Sequence, residues 1–362
     1  MKKLFLGIGL FLVYSVFAGD RGAAYKLELE PTSQAYVFGD RDHFTWGASP
    51  IRGNDGKYHL FYSRWEKRFG FSAWVTRSEI AHAVAEKAEG PYRFRDITLP
   101  ARGKAYWDGL TTHNPTIHFF EGKYYLYYMG TTGNGKITAG LNMDHRNRQR
   151  IGLAVAESPN GPWTRFDRPL IDVSKDDSAP DALMISNPSV TRMPDGRYLM
   201  VYKAVGKKIK GLFGGPVVHL CAIATSPAGP FSKVLKPIFI QKGISFPAED
   251  PYIWCEDGIF YALVKDMRGS FTRAGRSLAL FFSKNGLDWT PTQDPLVSRT
   301  RIRWQGGETT AVRNLERPQL LIENGKPTLI FLAVFPGKDR KNLPPVPTFN
   351  IHFKIKDKDS PL

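Results

Sequence analysis

Cysteine is nearly absent: Cys221 and Cys255 are the only two among 362 residues. Two thiols are too few for a disulfide scaffold or a zinc site. One bridge in an oxidising compartment and two buried free thiols both stay open. Helical periodicity is almost missing, so the chain does not read as a helical protein. Long apolar runs are limited to one, from Leu4 to Phe17, behind Met1-Lys2-Lys3 and ahead of Val16-Phe17-Ala18-Gly19. That run is too short to span a bilayer, which needs about 20 apolar residues. A basic start, a short apolar stretch and a small-residue cut site read instead as a signal peptide, residues 1–18. No cysteine sits at the cut, which argues against a lipid anchor. The expectation is an exported protein, periplasmic or secreted, with no membrane span after cleavage.

Acidic residues are also in deficit. The chain carries 50 Lys and Arg against 34 Asp and Glu, a formal charge of +16. Removing Lys2 and Lys3 with the leader leaves 48 basic residues and a charge of +14. Such a field draws polyanions. Nucleic acid is disfavoured, since no basic helix or basic tract appears; the charges are scattered, apart from "GKKIKG" at 206–211. A carbohydrate, sulfated or acidic, is the expected partner, with solubility as the plain alternative. The chain is expected to be a monomer or weak oligomer, and no cofactor or metal-ligand set is read from it.

What the sequence does have is punctuation. A proline opens an apolar run at Pro50, Pro115, Pro188, Pro251 and Pro318, at intervals of 65, 73, 63 and 67 residues. Each is followed by a hairpin glycine: Gly56, Gly122, Gly196, Gly258 and Gly325. Asp-Gly and Asn-Gly between alternating apolar runs are strong hairpin signals. Second strands follow ("YHLFYSRW", "YYLYYMG", "YLMVYKA", "IFYALVKD", "PTLIFLAVF"), then third strands ("IAHAVAE", "RIGLAVAES", "VHLCAIATS", "SLALFFSK", "FNIHFKI"). Turns with an aromatic residue close the first four units ("EGPY", "NGPW", "AGPF", "NGLDW"). Five units of short antiparallel strands spell an all-β chain, a single five-bladed β-propeller over 19–362, with three or four strands per blade. The segment around "QAYVFGD" is expected to begin the first unit or help close the ring. A β-sandwich would not explain five copies in register.

Innermost propeller strands converge on one axis, so the residues before the five prolines should form a ring. They are Ser49, Asn114, Asn187, Asp250 and Arg317, preceded by Ala48, His113, Ser186, Glu249 and Glu316. Polar groups buried without partners cost several kcal/mol, so such a ring facing a funnel suggests a ligand site. Strand-starting turn residues are the plain alternative.

The pattern, with "NPSV…DGRYLMVY", "EDPYIW…GIFYALVKD" and the "SPxGPW" turns, resembles the five-bladed propeller glycoside hydrolases of families 43, 32, 62 and 117. The resemblance covers nearly the whole mature chain. It implies a glycosidase working by acid and base catalysis. In family 43 an aspartate before the first-blade proline is the base. Another before the third-blade proline tunes the acid, which is a glutamate two residues before the fourth-blade proline. Glu249 matches the acid, but Ser49 and Asn187 stand where the two aspartates belong. Asp42, Asp108, Asp266, Glu308 and Glu316 are the candidates for a substitute base. Glu249 and Asp250 are consecutive on an extended segment and should point to opposite sides. Trp46, Trp65, Trp107 and Trp254 are expected as sugar platforms, while Trp163 and Trp289 fit packing between blades. Arg64, Arg313 and Arg317 are expected to hold a carboxylate or sulfate, and His113, Asn114, Asn187 and Asp266 to line the site. Three readings follow: an exported glycoside hydrolase acting on an anionic polysaccharide or oligosaccharide, a propeller that binds carbohydrate without catalysis, and a glycoside phosphorylase.

Overall fold

Five antiparallel four-stranded sheets account for nearly all regular structure in the computed structural model, which describes residues 21–138, 140–338 and 340–356. The expected leader lies outside the described residues. Blade 1 comprises His43–Arg52, Tyr58–Glu66, Glu79–Ala85 and Arg93–Leu99. Blade 2 comprises Thr111–Phe120, Lys123–Thr131, Arg150–Ala156 and Thr164–Arg165. Blade 3 comprises Met184–Arg192, Tyr198–Val205, Val217–Ala224 and Ser232–Ile238. Blade 4 comprises Ala248–Glu256, Ile259–Asp266, Ser277–Ser283 and Thr290–Arg299. Blade 5 takes Asn314–Glu323, Lys326–Phe335 and Phe349–Lys354 from the C-terminal part of the chain. Its outermost strand is Val37–Gly39, paired with Phe349–Ile351. "QAYVFGD" therefore closes the ring rather than opening blade 1.

The hairpins form where the glycines stand. Glu121-Gly122, Asp257-Gly258 and Asn324-Gly325 all have positive φ at both residues, the conformation of a tight type I′ turn. Each blade is covered on both faces, so its second strand is buried almost throughout, as in Lys123–Thr131 and Ile259–Asp266. Separate apolar clusters fill the five blade interfaces. The turn aromatics belong to them: Tyr92 packs on Phe331, Trp163 on Phe61 and Trp289 on Phe239.

Polar stitches join the innermost strands. Ser49 Oγ donates to Gln319 Oε1 of blade 5 at 2.9 Å and accepts from Ile117 N of blade 2 at 3.1 Å. Thr116 Oγ1 donates to Pro188 O, and Ser189 Oγ accepts from Ile253 N. The bonded groups are buried, so the stitches hold the blades in register while satisfying dipoles that water cannot reach. Cys221 and Cys255 are free thiols.

Candidate active site

Every innermost strand carries one bulge at the same height. The register slips between Trp46 and Ser49, His113 and Thr116, Ser186 and Ser189, Glu249 and Tyr252, and Glu316 and Gln319. The first skipped residue is left-handed in all five: Gly47, Asn114, Asn187, Asp250 and Arg317, with φ of 60, 52, 52, 53 and 58°. Asn and Asp tolerate this region; a buried arginine there is unusual and costs of order 1–3 kcal/mol. Bulges re-aim side chains, and these turn theirs to the axis.

The bulges correct the expected register of blade 1. Pro115, Pro188, Pro251 and Pro318 correspond to Ala48, not Pro50, and the ring position is Gly47, not Ser49. Ser49 belongs to the stitches below. Gly47 has no side chain, and Arg317 fills the gap: a Cβ on Gly47 would meet Arg317 Cγ at 2.9 Å and Asn114 Oδ1 at 3.2 Å. A guanidinium stem thus occupies the space beside the first-blade ring position, where the family 43 comparison expects a carboxylate.

The ring is a directed hydrogen-bond chain. Asn114 Nδ2 donates to Asn187 Oδ1 at 2.8 Å, and Asn187 Nδ2 donates to Asp250 Oδ1 at 2.7 Å. Arg317 Nη2 donates to Asn114 O at 2.9 Å, while its Nε and Nη1 and Asn114 Oδ1 have no hydrogen-bond partner among the described residues. Burial pushes the Asp250 carboxyl up, to about 7, helped by Glu249 and opposed by Arg317. Burial likewise lowers the Arg317 guanidinium.

One residue earlier stand Trp46, His113, Ser186, Glu249 and Glu316, and the strand register extends each into a row. In blade 3 Ser186 pairs with Lys203, and Lys203 with His219. In blade 4 Glu249 pairs with Lys265. These rows meet across the blade boundary. Lys203 Nζ reaches Glu249 Oε1 at 2.7 Å, Lys265 Nζ reaches Glu249 Oε2 at 3.0 Å, and Lys265 also pairs with Glu316 Oε2. Asn314 Nδ2 donates to Glu316 Oε1 at 3.1 Å. Two contacts of about 3 Å to one ammonium hold the nearest oxygens of Glu249 and Glu316 within roughly 6 Å. Burial pushes Glu249 up, but Lys203 and Lys265 outweigh it and hold the carboxyl well below the usual range. Burial lowers Lys265, yet Glu249 and Glu316 keep it charged. Arg146, buried on the short helix Met143–Asn147, also lies in the field of Glu249.

Blades 1, 2 and 5 supply an apolar side. Phe44, Trp46, Trp65, Phe71, Trp74 and Phe335 form one cluster. His113 is stacked on Trp74 at 4.8 Å, its Nδ1 at 2.7 Å from Ser78 Oγ. Burial, with Arg317 adding to it, keeps this imidazole neutral. Glu249, Asp250, Glu316, Asn114, Asn187, Arg317, His113 and Trp46 all stand at the bulge, at one height in the five blades.

Other expected residues lie elsewhere. Asp42 is exposed, four residues ahead of Trp46 on an extended segment, roughly 13 Å away along the strand. Asp108 is fully buried between Arg102 and Arg165, both at 2.7 Å, and accepts from Tyr128 OH. Asp266 accepts from the backbone N–H groups of Arg268, Gly269, Ser270, Phe271 and Thr272, so it shapes its own loop. Trp107 stacks on Tyr128, and Trp254 packs on Tyr261 with its Nε1 donating to Glu256. Arg64 lies over Phe94, outside the ring, and Arg313 is exposed over Phe335 at the edge of the aromatic cluster. Glu308 is exposed beside the small ribbon Arg301–Arg303 and Thr309–Ala311. Sequence reading missed Gly47, Lys203, His219, Arg146 and Trp74. Lys203 is the lone charge in the second strand of blade 3 and Lys265 the lone cation in that of blade 4, which is the signal that could have placed them at the site. Among the described residues no three His, Cys, Asp or Glu side chains form a metal-binding group.

No protein-family model and no curated protein sequence matches the chain. Solved structures do. A family 117 glycoside hydrolase produced by the marine bacterium Zobellia galactanivorans is similar at 18% identity and a TM-score of 0.62, over 92% of this chain and 90% of that one. BT0996, solved as an RGII complex, is similar at 14% identity and a TM-score of 0.64, over 93% and 94%. A thermostable family 43 glycoside hydrolase is similar at 12% identity and a TM-score of 0.58, over 92% and 98%. The likeness to propeller glycoside hydrolases expected from the repeat is therefore present in the fold, over nearly the full length of both partners. At these identities the chemistry rests on the residues themselves.

Proposed function

We propose that the chain is an exported glycoside hydrolase that cleaves an anionic sugar, sulfated or uronic, at the axis of the propeller. The observation that carries this reading is the carboxylate cluster of Glu249, Asp250 and Glu316, set beside an aromatic cluster. An aromatic surface suits the C–H face of a sugar ring, and glycoside hydrolysis needs two carboxyl groups in opposite protonation states. The environments here push two carboxyls apart, which is how acid and base roles are separated. Asp250 keeps its proton up to about pH 7, so it is assigned as the proton donor. Glu249 is held ionised and Glu316 shares its lysine; they are assigned to activate water or stabilise positive charge on the sugar. This moves the donor one residue from the position that family resemblance implies. With Asp250 protonated, the cations Lys203, Lys265, Arg146 and Arg317 outnumber Glu249 and Glu316, which supports an anionic substrate.

The experiment is a screen of purified protein on sulfated and uronic-acid oligosaccharides, with neutral counterparts as controls. The expected result is sugar release that falls by about 10²–10⁴ in Asp250→Asn and declines above pH 7 as Asp250 ionises. A second reading, a binding propeller without catalysis, is favoured by Gly47 and the arginine beside it. It prevails if the oligosaccharides bind but are not cleaved.

A further inference from the structure

Outside the axis, the most unusual surface is the connection between the second and third strands of blade 3, residues 206–215. It exposes Leu212 at 76%, Phe213 at 48% and Ile209 at 45%, three of the large apolar side chains most open to water. A fourth, Ile240 at 62%, lies in the neighbouring connection, which is tied to the first by Val217 N donating to Ser245 O at 2.8 Å. Exposure of this size is not slack chain. Ile209 N donates to Gly215 O, Gly215 N to Gly206 O, and Gly214 N to Gly211 O. Asn147 Nδ2 donates to Leu212 O at 2.8 Å, and Arg146 Nη1 donates to Phe213 O at 2.5 Å with its guanidinium 4.1 Å from the Phe213 ring. The loop is thus held at five points while its apolar tips face outward. A cluster of this kind on a monomer marks a contact surface.

Charge decides what it contacts. Lys207, Lys208 and Lys210 are exposed on this loop, and Lys242 is exposed on the neighbouring connection two residues after Ile240. Asp177 pairs with Lys207 at 2.5 Å, and Asp176 lies in the field of Lys208, which leaves Lys210 and Lys242 in surplus. A second copy docking through the same patch would bring like charges together. A soluble anionic glycan would match the lysines but set hydroxyl groups against Leu212, Ile209 and Ile240. An anionic bilayer matches both, with ammonium groups at the headgroup level and aliphatic tips at the acyl boundary.

We propose that the 206–215 connection, with Ile240, is a docking surface for an anionic lipid membrane. It leaves blade 3 at the end of the strand that carries Lys203, so docking sets the axial site toward that surface and the glycans displayed there. The full chain is tested by co-sedimentation with vesicles of phosphatidylcholine alone or with one-third phosphatidylglycerol. Binding is expected only with phosphatidylglycerol, weakened about fivefold in each of Lys210→Gln and Lys242→Gln and about tenfold in Leu212→Asp. None of these residues belongs to the axial site, and unchanged urea unfolding confirms that the variants are folded. A Leu212→Trp variant should shift its fluorescence to the blue on binding, which charge attraction alone would not produce. Absence of binding at low salt, or binding indifferent to Leu212→Asp, overturns the proposal. So does self-association abolished by Leu212→Asp, or a dextran sulfate complex that shows the same Leu212 dependence.

Discussion

Replacing Asp250 by asparagine should stabilise the protein while removing the proposed activity. The carboxyl is buried at the axis and accepts from Asn187 Nδ2, a bond that the Oδ1 of asparagine can also accept. Its folded pKa of about 7 stands above an unfolded value of about 3.9. Between these values the unfolded chain has released a proton that the folded chain still holds, so ionisation favours unfolding as pH rises. The penalty is absent below about pH 4, grows through the interval and is complete above about pH 7. About three pKa units at 1.36 kcal/mol each make it about 4 kcal/mol. Asparagine, neutral at all pH, should escape it. Urea unfolding of wild type and Asp250→Asn from pH 4 to 8 reads the difference. The expected result is near equality at pH 4 and an advantage for the variant that grows to a few kcal/mol by pH 7. A difference independent of pH, or a variant less stable at pH 7, would refute the assignment of a protonated carboxyl to this position. A stabilising substitution that abolishes turnover is the mark of a site held under functional constraint.

Lys265→Met should have the opposite effect. It strips the shared counter-ion from Glu249 and Glu316, and removing one partner of a buried pair costs about 3–5 kcal/mol. Because the lysines depress the Glu249 pKa, that stability is present above about pH 4.3 and is lost as pH falls toward the folded value. The gap between wild type and variant should therefore narrow in acid, as followed by denaturant midpoints. Asp108→Asn should cost about 3 kcal/mol by leaving Arg102 and Arg165 without their buried partner. Its kcat/KM on any hydrolysed oligosaccharide should match wild type, since Asp108 sits in the wall of blade 2; a loss of turnover in a stable variant would contradict this placement.

The repeat was legible because turns and strand periods are local. Glycine permits the hairpin, alternation and length define the strand, and five copies in one chain leave few ways to bury the faces other than a ring. Glu249, Asp250, Glu316 and Arg317 were legible for the same reason: the proline beside them marks their height in the blade. Blade 1 broke the rule. Its bulge carries Gly47-Ala48 in place of a residue and proline, so Pro50 gave a register two residues late. Asp108, Asp266, Trp107 and Trp254 have the residue types of a sugar site, but a carboxylate or indole near the right segment does not reveal which way it points. Lys203 reaches Glu249 across a blade boundary and Lys265 reaches it from the neighbouring strand of the same blade, 46 and 16 residues away. Sequence alone thus determined the blades and the height of the ring, since both follow from short-range conformational preference. Tertiary structure alone decided which carboxyl is charged, because burial and the distance to an ammonium on another strand set that, and neither is written in local sequence.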